Sequence, residues 1–353
     1  MSAIDEVLEG CRICVCAGAG GVGKTSTSAA IALGAAARGR KVAVLTIDPA
    51  KRLANALGLE KLGNEPRRVR GIDGPGELWA MMLDAKRTFD DLVETYASDE
   101  RTRDAVLSNR IYQELSGAVS GSQEYMAMEK LYELHMEGGF DLLVLDTPPT
   151  RNALDFLDAP ERLYRFIDSR SLRFFLSPGL RIVGRGSGLL FAVLQRVTGI
   201  DLLRDLSEFF ASFGDMSEGF RARAERVVEL LGSDAATFVL VSSPRGDAID
   251  DAIFFHERLH ERGMPFGGVV VNRFHDLSGE EADLATVLDR ELAAKVQANF
   301  DDYRALAERD RANLGRLTSK LHGEPVVVIP ELDGDVHDLD GLNRMIEHLF
   351  RKI

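Results

Sequence analysis

Two glycine steps, a lysine and a threonine stand at a spacing that suits phosphate chemistry: Gly18-x4-Gly23-Lys24-Thr25, read in full as GAGGVGKT. The run follows an apolar stretch, RICVCAG, and opens a helix-like one, TSTSAAIALGAAARG. Glycines there let backbone N–H groups close around a phosphate, and the helix N-terminus adds the positive end of its dipole. Lys24 would reach the β/γ-oxygens and the Thr25 hydroxyl would hold Mg²⁺. Two carboxylates end later strand-like runs. Asp48, in LTIDPAKRLA, is suited either to orienting an attacking water or to capping the helix that follows Pro49. Asp146, in DLLVLDTPPT, is placed to bind Mg²⁺ through water, or else to satisfy backbone donors of its own turn. Thr147, Pro148, Pro149 and Thr150 then read as a switch that senses the γ-phosphate.

Positioning these groups requires a sheet. Short apolar runs at 12–18, 41–48, 78–84, 141–147, 237–243, 266–272 and 325–330 alternate with longer helical patterns. Near-continuous apolar strands separated by helices imply a parallel sheet covered on both faces, a doubly wound α/β P-loop core whose ligand lies at the strands' carboxyl ends. Residues 86–134 and 160–232 turn helical and charged. They are expected to form one discontinuous helical subdomain, leaving 1–85, 135–160 and 232–353 as the core. An acidic helix-prone insertion precedes the last strand.

Composition excludes several classes. With 43 Lys+Arg against 56 Asp+Glu, net charge −13, a general nucleic-acid coat is not expected. No run of roughly 18 apolar residues is present, and the acidic start MSAIDEVLEG lacks a secretory pattern, so the expected address is the cytoplasm. Cys11, Cys14 and Cys16 read as thiols of the first strand, with C-x-x-C metal or redox chemistry the sharper alternative. HERLH at 256–260 matches a zinc-protease signature, against which stands an outer crossover helix; Glu280 and Glu281 are the arguable third ligands. Leu342, Met345, Ile346, Leu349, Phe350 and Ile353 form an apolar stripe, either core packing or a membrane anchor. Residues 172–203 mix apolar and arginine residues, as a helical core or as a surface for a hydrophobic client or membrane.

The run G-x-G-G-V-G-K-T, then T-x-D-P-A, then D-T-x-P-T, then V-N on a late strand resembles the ArsA and tail-anchored-protein-targeting ATPases, within their actinobacterial anion-transporting branch. The resemblance spans nearly the whole chain. It implies a Mg²⁺-dependent ATPase that works as a dimer, its helical subdomain opening and closing with ATP. By the same resemblance Gly20, Gly21, Val22, Gly23, Lys24, Thr25 and Ser26 would cradle phosphate, Thr25 would ligate Mg²⁺, and Asp48 would position water. Asp146 and Thr147 would couple the metal to the second switch, which includes Pro149. Asn272 would bind adenine, with Pro330 and Glu331 around the base.

Departures from the family pattern are as informative. Arg245 stands where the family has a nucleotide-contacting glutamate, Arg151 and Asn152 replace a glycine and histidine, and the targeting enzymes' zinc-binding cysteine pair is absent. Ala19 stands where the family carries a lysine that reaches the partner's phosphates. An alanine methyl cannot do this. The expectations are a slow or non-hydrolysing protein, a replacement cation among Lys51, Arg52 and Arg151, or, favoured here, a paralogous partner chain that donates the lysine. A homodimer and a heterodimer both remain open, as does a positioning ATPase of the MinD kind.

Overall fold

A computed structural model describes residues 2–48, 52–115, 122–148, 158, 216, 218–277 and 289–351. Eight strands form one sheet: β1 (Ile13–Ala17), β2 (Lys41–Thr46), β3 (Arg67–Arg68), β4 (Glu77–Met82), β5 (Leu142–Asp146), β6 (Ala236–Ser242), β7 (Phe266–Phe274) and β8 (Val326–Pro330). Their order is β3-β4-β2-β5-β1-β6-β7-β8, and every pairing is parallel except β3 with β4. Every residue of β1, β5 and β6 is buried, as continuous apolar runs in a two-faced sheet require. The fold is α/β and doubly wound, with the chain reversing direction across the sheet at β1.

The helices are α1 (Ala3–Val7), α2 (Lys24–Ala37), α3 (Arg52–Ala56), α4 (Ala85–Tyr96), α5 (Glu100–Leu107), α6 (Arg110–Leu115), α7 (Ser122–Glu137), α8 (Gly246–Glu261), α9 (Arg290–Thr318) and α10 (Leu339–Leu349). Alanine-rich α2 is buried along most of its length, which lets it lie close to the sheet. On α10, Leu342, Met345, Leu349 and the following Phe350 are buried in the same core. A Cβ on Gly34 of α2 would fall 2.2 Å from the Phe350 ring. The terminal apolar stripe is therefore core packing, and Ile353 lies outside the described residues.

Two compact units divide the chain: Met1–Met82, Gly138–Leu154 and Leu231–Ile353 in one, Leu83–Glu137 and Asp155–Leu230 in the other. Among the described residues, the regular elements of the second unit are all helices. Asp84 and Asp99 cap α4 and α5 by accepting from the amides of Arg87 (3.0 Å) and Thr102 (2.7 Å). Its core packs Phe89 against Tyr112 and Phe220, with Tyr96 also on Phe220. A buried ion pair joins Glu129 of α7 to Arg223 of the helical residues 218–231.

Three local readings needed adjustment. β3 was not anticipated, because Arg67 and Arg68 are both exposed and carry no apolar alternation. Cys11 precedes β1 rather than lying in it, its thiol donating to the Val7 carbonyl (3.4 Å), while Cys14 and Cys16 are buried strand residues. β7 continues past Asn272 to Phe274 through an irregularity at Arg273. Residues 172–203, Glu280 and Glu281 lie outside the described residues.

Candidate functional site

The site begins where β1 ends. Gly18 has φ +154°, and a Cβ there would sit 2.0 Å from the Val241 carbonyl oxygen of β6. Only glycine permits that approach, which seats the loop on the neighbouring strand. Gly23, with φ +95°, is the N-cap of α2 and offers no side-chain cap of its own. The first amides of α2 thus open into the loop, an arrangement that favours an anion. Ser26 is half-buried in the first turn.

Lys24 is only 6% exposed, and its Nζ donates to the Ala19 carbonyl (2.7 Å). Burial lowers its pKa, opposed by the charges of Asp146 and Asp48. Asp146, at the end of β5 in register with Cys16 of β1 and Thr46 of β2, is 1% exposed. Its Oδ2 accepts from the Thr25 hydroxyl (2.8 Å) and the Thr46 hydroxyl (2.9 Å). Its Oδ1 is buried with no hydrogen-bond partner among the described residues. Burial pushes the carboxyl up to about 6, against the pull of both hydroxyls and Lys24. A buried carboxylate oxygen without a partner, beside a threonine hydroxyl on a phosphate loop, is a set of hard oxygen donors that fits Mg²⁺.

Asp48 follows β2, its amide bonded to the Thr46 hydroxyl (3.2 Å). Arg52, on the first turn of α3, lies 3.7 Å from its Oδ2. Of the three cations considered as replacements for the missing lysine, Arg52 reaches the site, while Lys51 and Arg151 lie outside the described residues, as do Pro149 and Asn152. The Thr147 hydroxyl is turned back onto β1, donating to the Cys16 carbonyl (2.9 Å). It thereby anchors the base of the segment that follows.

Asn272 belongs to the phosphate loop as much as to any base pocket. Its Nδ2 donates to the Val22 carbonyl (3.0 Å), and a Cβ on Gly23 would come within 2.3 Å of that nitrogen. Pro330 ends β8 half-buried, and exposed Glu331 donates its amide to the Phe274 carbonyl (3.0 Å). Glu331 also lines a cavity of about 550 Å³ that the loop residues Ala19 to Val22 wall on one side. Arg245 lines it too, as the N-cap residue of α8, paired with Asp247 (2.9 Å). His275 and Arg309, which sequence reasoning did not single out, complete that wall.

The zinc-like motif does not converge. His256 is buried against Phe266 and 3.4 Å from Glu324, whereas His260 is exposed on the same crossover helix α8. No described helix is long and apolar enough to cross a membrane.

A glycine-rich loop between a central parallel strand and a buried helix, with a strand-end aspartate bonded to the loop threonine, defines a P-loop nucleoside triphosphatase. Comparison with known sequences makes this specific: the anion-transporting ATPase family model, ArsA_ATPase, matches residues 11–350. The protein named ATPase GET3 of Candida glabrata is 25% identical over 325 residues, covering 89% of this chain and 81% of that one. ATPase GET3 of Lachancea thermotolerans is 24% identical over 321 residues, 88% and 80% of the two chains. ATPase ASNA1 homolog 2 of Paramecium tetraurelia is 33% identical over a shorter 129 residues, 35% and 37%. The chain belongs to the ArsA anion-transporting ATPase family and is an ATPase.

Proposed function

We propose that this chain binds ATP with Mg²⁺ on the loop Gly20 to Ser26, hydrolyses it to ADP and phosphate, and uses the cycle to open and close a dimer that handles a hydrophobic protein or membrane client in the cytoplasm. The observation that carries the chemical part is Asp146, a buried carboxylate with one oxygen bonded to Thr25 and the other without a partner among the described residues. Thr25 and Asp146 would hold the metal, the latter through water. Mg²⁺ would supply positive charge to offset that of the phosphates. Lys24 exchanges its bond to Ala19 for the phosphate oxygens, which offset the desolvation of its buried ammonium. Asp48 orients the attacking water and accepts its proton, and Thr147 ties the response of the second switch, with Pro149, to β1. Asn272, Pro330 and Glu331 form the side of the pocket toward adenine.

The dimer we infer is a heterodimer whose paralogous partner supplies the lysine missing at Ala19, since the remaining phosphate-loop residues are intact in this chain. The 3.7 Å pairing of Arg52 with Asp48 favours a second reading, in which Arg52 supplies the cation within a homodimer. Turnover of the purified chain, with and without a co-purifying paralogue, tests the two: stimulation by the paralogue supports the first. Unstimulated turnover that Arg52→Ala abolishes supports the second. Asp48→Asn should bind ATP and lose about 10²–10³ in turnover, on the scale of one transition-state contact. Equal turnover in Asp48→Asn and wild type would remove Asp48 from the role given to it.

A further inference from the structure

Outside the phosphate grip, a buried carboxylate holds the imidazole of His275 and the guanidinium of Arg309. Asp310 of α9 is fully buried, and its Oδ2 accepts from the backbone N–H of His275 (3.2 Å) and approaches the ring Nδ1 at 2.6 Å. Its Oδ1 accepts from Nε and Nη2 of Arg309 (3.2 and 2.8 Å). Asp310 thus engages the ring at Nδ1 and leaves Nε2 for another partner. The Tyr303 ring packs edge-on at 5.3 Å, fixing the plane of the imidazole from the other side.

Backbone geometry delivers that ring to the cavity. Arg273 is the one non-glycine residue with positive φ among the described residues, at +63°, and the register of β7 with β8 shifts between Val271 and Phe274. Such a conformation costs an arginine free energy and persists where surrounding structure holds it. Its effect is to turn the chain after Asn272, so that His275, 22% exposed, lines the same cavity of about 550 Å³ as Ala19 to Val22. A staple between β7 and α9 would need the Asp310 bond alone. An imidazole held in one orientation on the wall beside the phosphate loop has the preorganisation of a ligand contact.

We propose that His275, positioned by Asp310, hydrogen-bonds through Nε2 to the nucleoside of the nucleotide held on the phosphate loop. This rests on the phosphate-site reading above and adds to it a residue that discriminates between nucleosides. The contact is either to a ribose hydroxyl, which can donate or accept, or to the base edge, where adenine presents an exocyclic amine and guanine an oxygen acceptor.

Titration calorimetry with ATP, GTP, 2′-deoxy-ATP, 3′-deoxy-ATP and inorganic tripolyphosphate tests it. His275→Ala should weaken ATP about tenfold, the scale of one hydrogen bond, and leave tripolyphosphate unchanged. His275→Phe keeps a ring against Tyr303 without nitrogens, and should show the same split if the alanine variant fails to fold. Loss of the ATP–GTP preference in the variant assigns the contact to the base. Loss of the ATP–deoxy-ATP preference assigns it to the ribose. Wild-type ATP affinity in both variants, equal weakening of ATP and tripolyphosphate, or weakening with both preferences intact overturns the proposal. A wild-type chain that binds neither ATP nor tripolyphosphate overturns the phosphate-site reading, and this inference with it.

Discussion

Asp146 in the sheet unit and Glu129 in the helical unit are buried alike, each 1% exposed, and each keeps one oxygen without a hydrogen-bond partner among the described residues. Burial raises the pKa of both. They differ in what faces the other oxygen. Glu129 is paired directly with Arg223, whose guanidinium also lies over the Tyr132 ring at 4.0 Å. Asp146 faces two threonine hydroxyls and, at longer range, Lys24, which spends its own bond on the Ala19 carbonyl. A carboxylate already matched by a cation is a structural clamp, and one matched by neutral donors keeps its charge for a ligand.

Removing the cation from the clamp has the largest expected effect. Arg223→Met strands a buried carboxylate and should cost about 3–5 kcal/mol, measured by urea unfolding. Adding Glu129→Leu to it should recover most of that loss. If Arg223→Met alone is neutral, Glu129 is no clamp.

A smaller effect of opposite sign is expected at Asp146. Its folded pKa, about 6 against 3.8, lies above the unfolded one, so the group favours folding while protonated. That contribution is full below about pH 4 and is lost as pH rises through about 6. Two units correspond to about 3 kcal/mol. In metal-free protein Asp146→Asn should therefore be more stable than wild type at pH 8 by up to about that amount, the gap closing toward pH 4 in thermal melts. A destabilised Asp146→Asn at pH 8 would place Asp146 with Glu129 among the structural carboxylates.

The smallest effect belongs to an exposed pair. Arg245 and Asp247, with side chains 71% and 67% exposed, face solvent at the start of α8. Arg245→Ala should melt with wild type, because exposed ion pairs contribute little. A clear loss of stability there would show that charge pairing matters here irrespective of burial.

How much of this was legible in the sequence follows from the range of the interactions. GAGGVGKT was readable because its constraint is local: Gly23 must adopt positive φ at the start of α2, with Lys24 and Thr25 directly after it. Asp146 was readable as the acid that ends a continuous apolar run. Glu129 was not, since SQEYMAMEKLYELHME reads as an ordinary amphipathic helix until Arg223, 94 positions away, is brought to it. His275 and Asp310 escaped for the same reason, 35 positions apart in segments with no shared motif. β3 escaped because two exposed arginines leave no pattern. The missing lysine at Ala19 was legible as a departure, whereas the approach of Arg52 to Asp48 depends on how α3 leaves β2.

The most direct test of the difference between the two carboxylates is a Mg²⁺ titration of ATP binding, wild type beside Asp146→Asn, at constant ionic strength. Wild-type affinity should rise with Mg²⁺, and the variant should retain the Mg²⁺-independent binding of the loop while losing that rise. The same Mg²⁺ enhancement in both proteins would contradict the assignment of Asp146 to the metal.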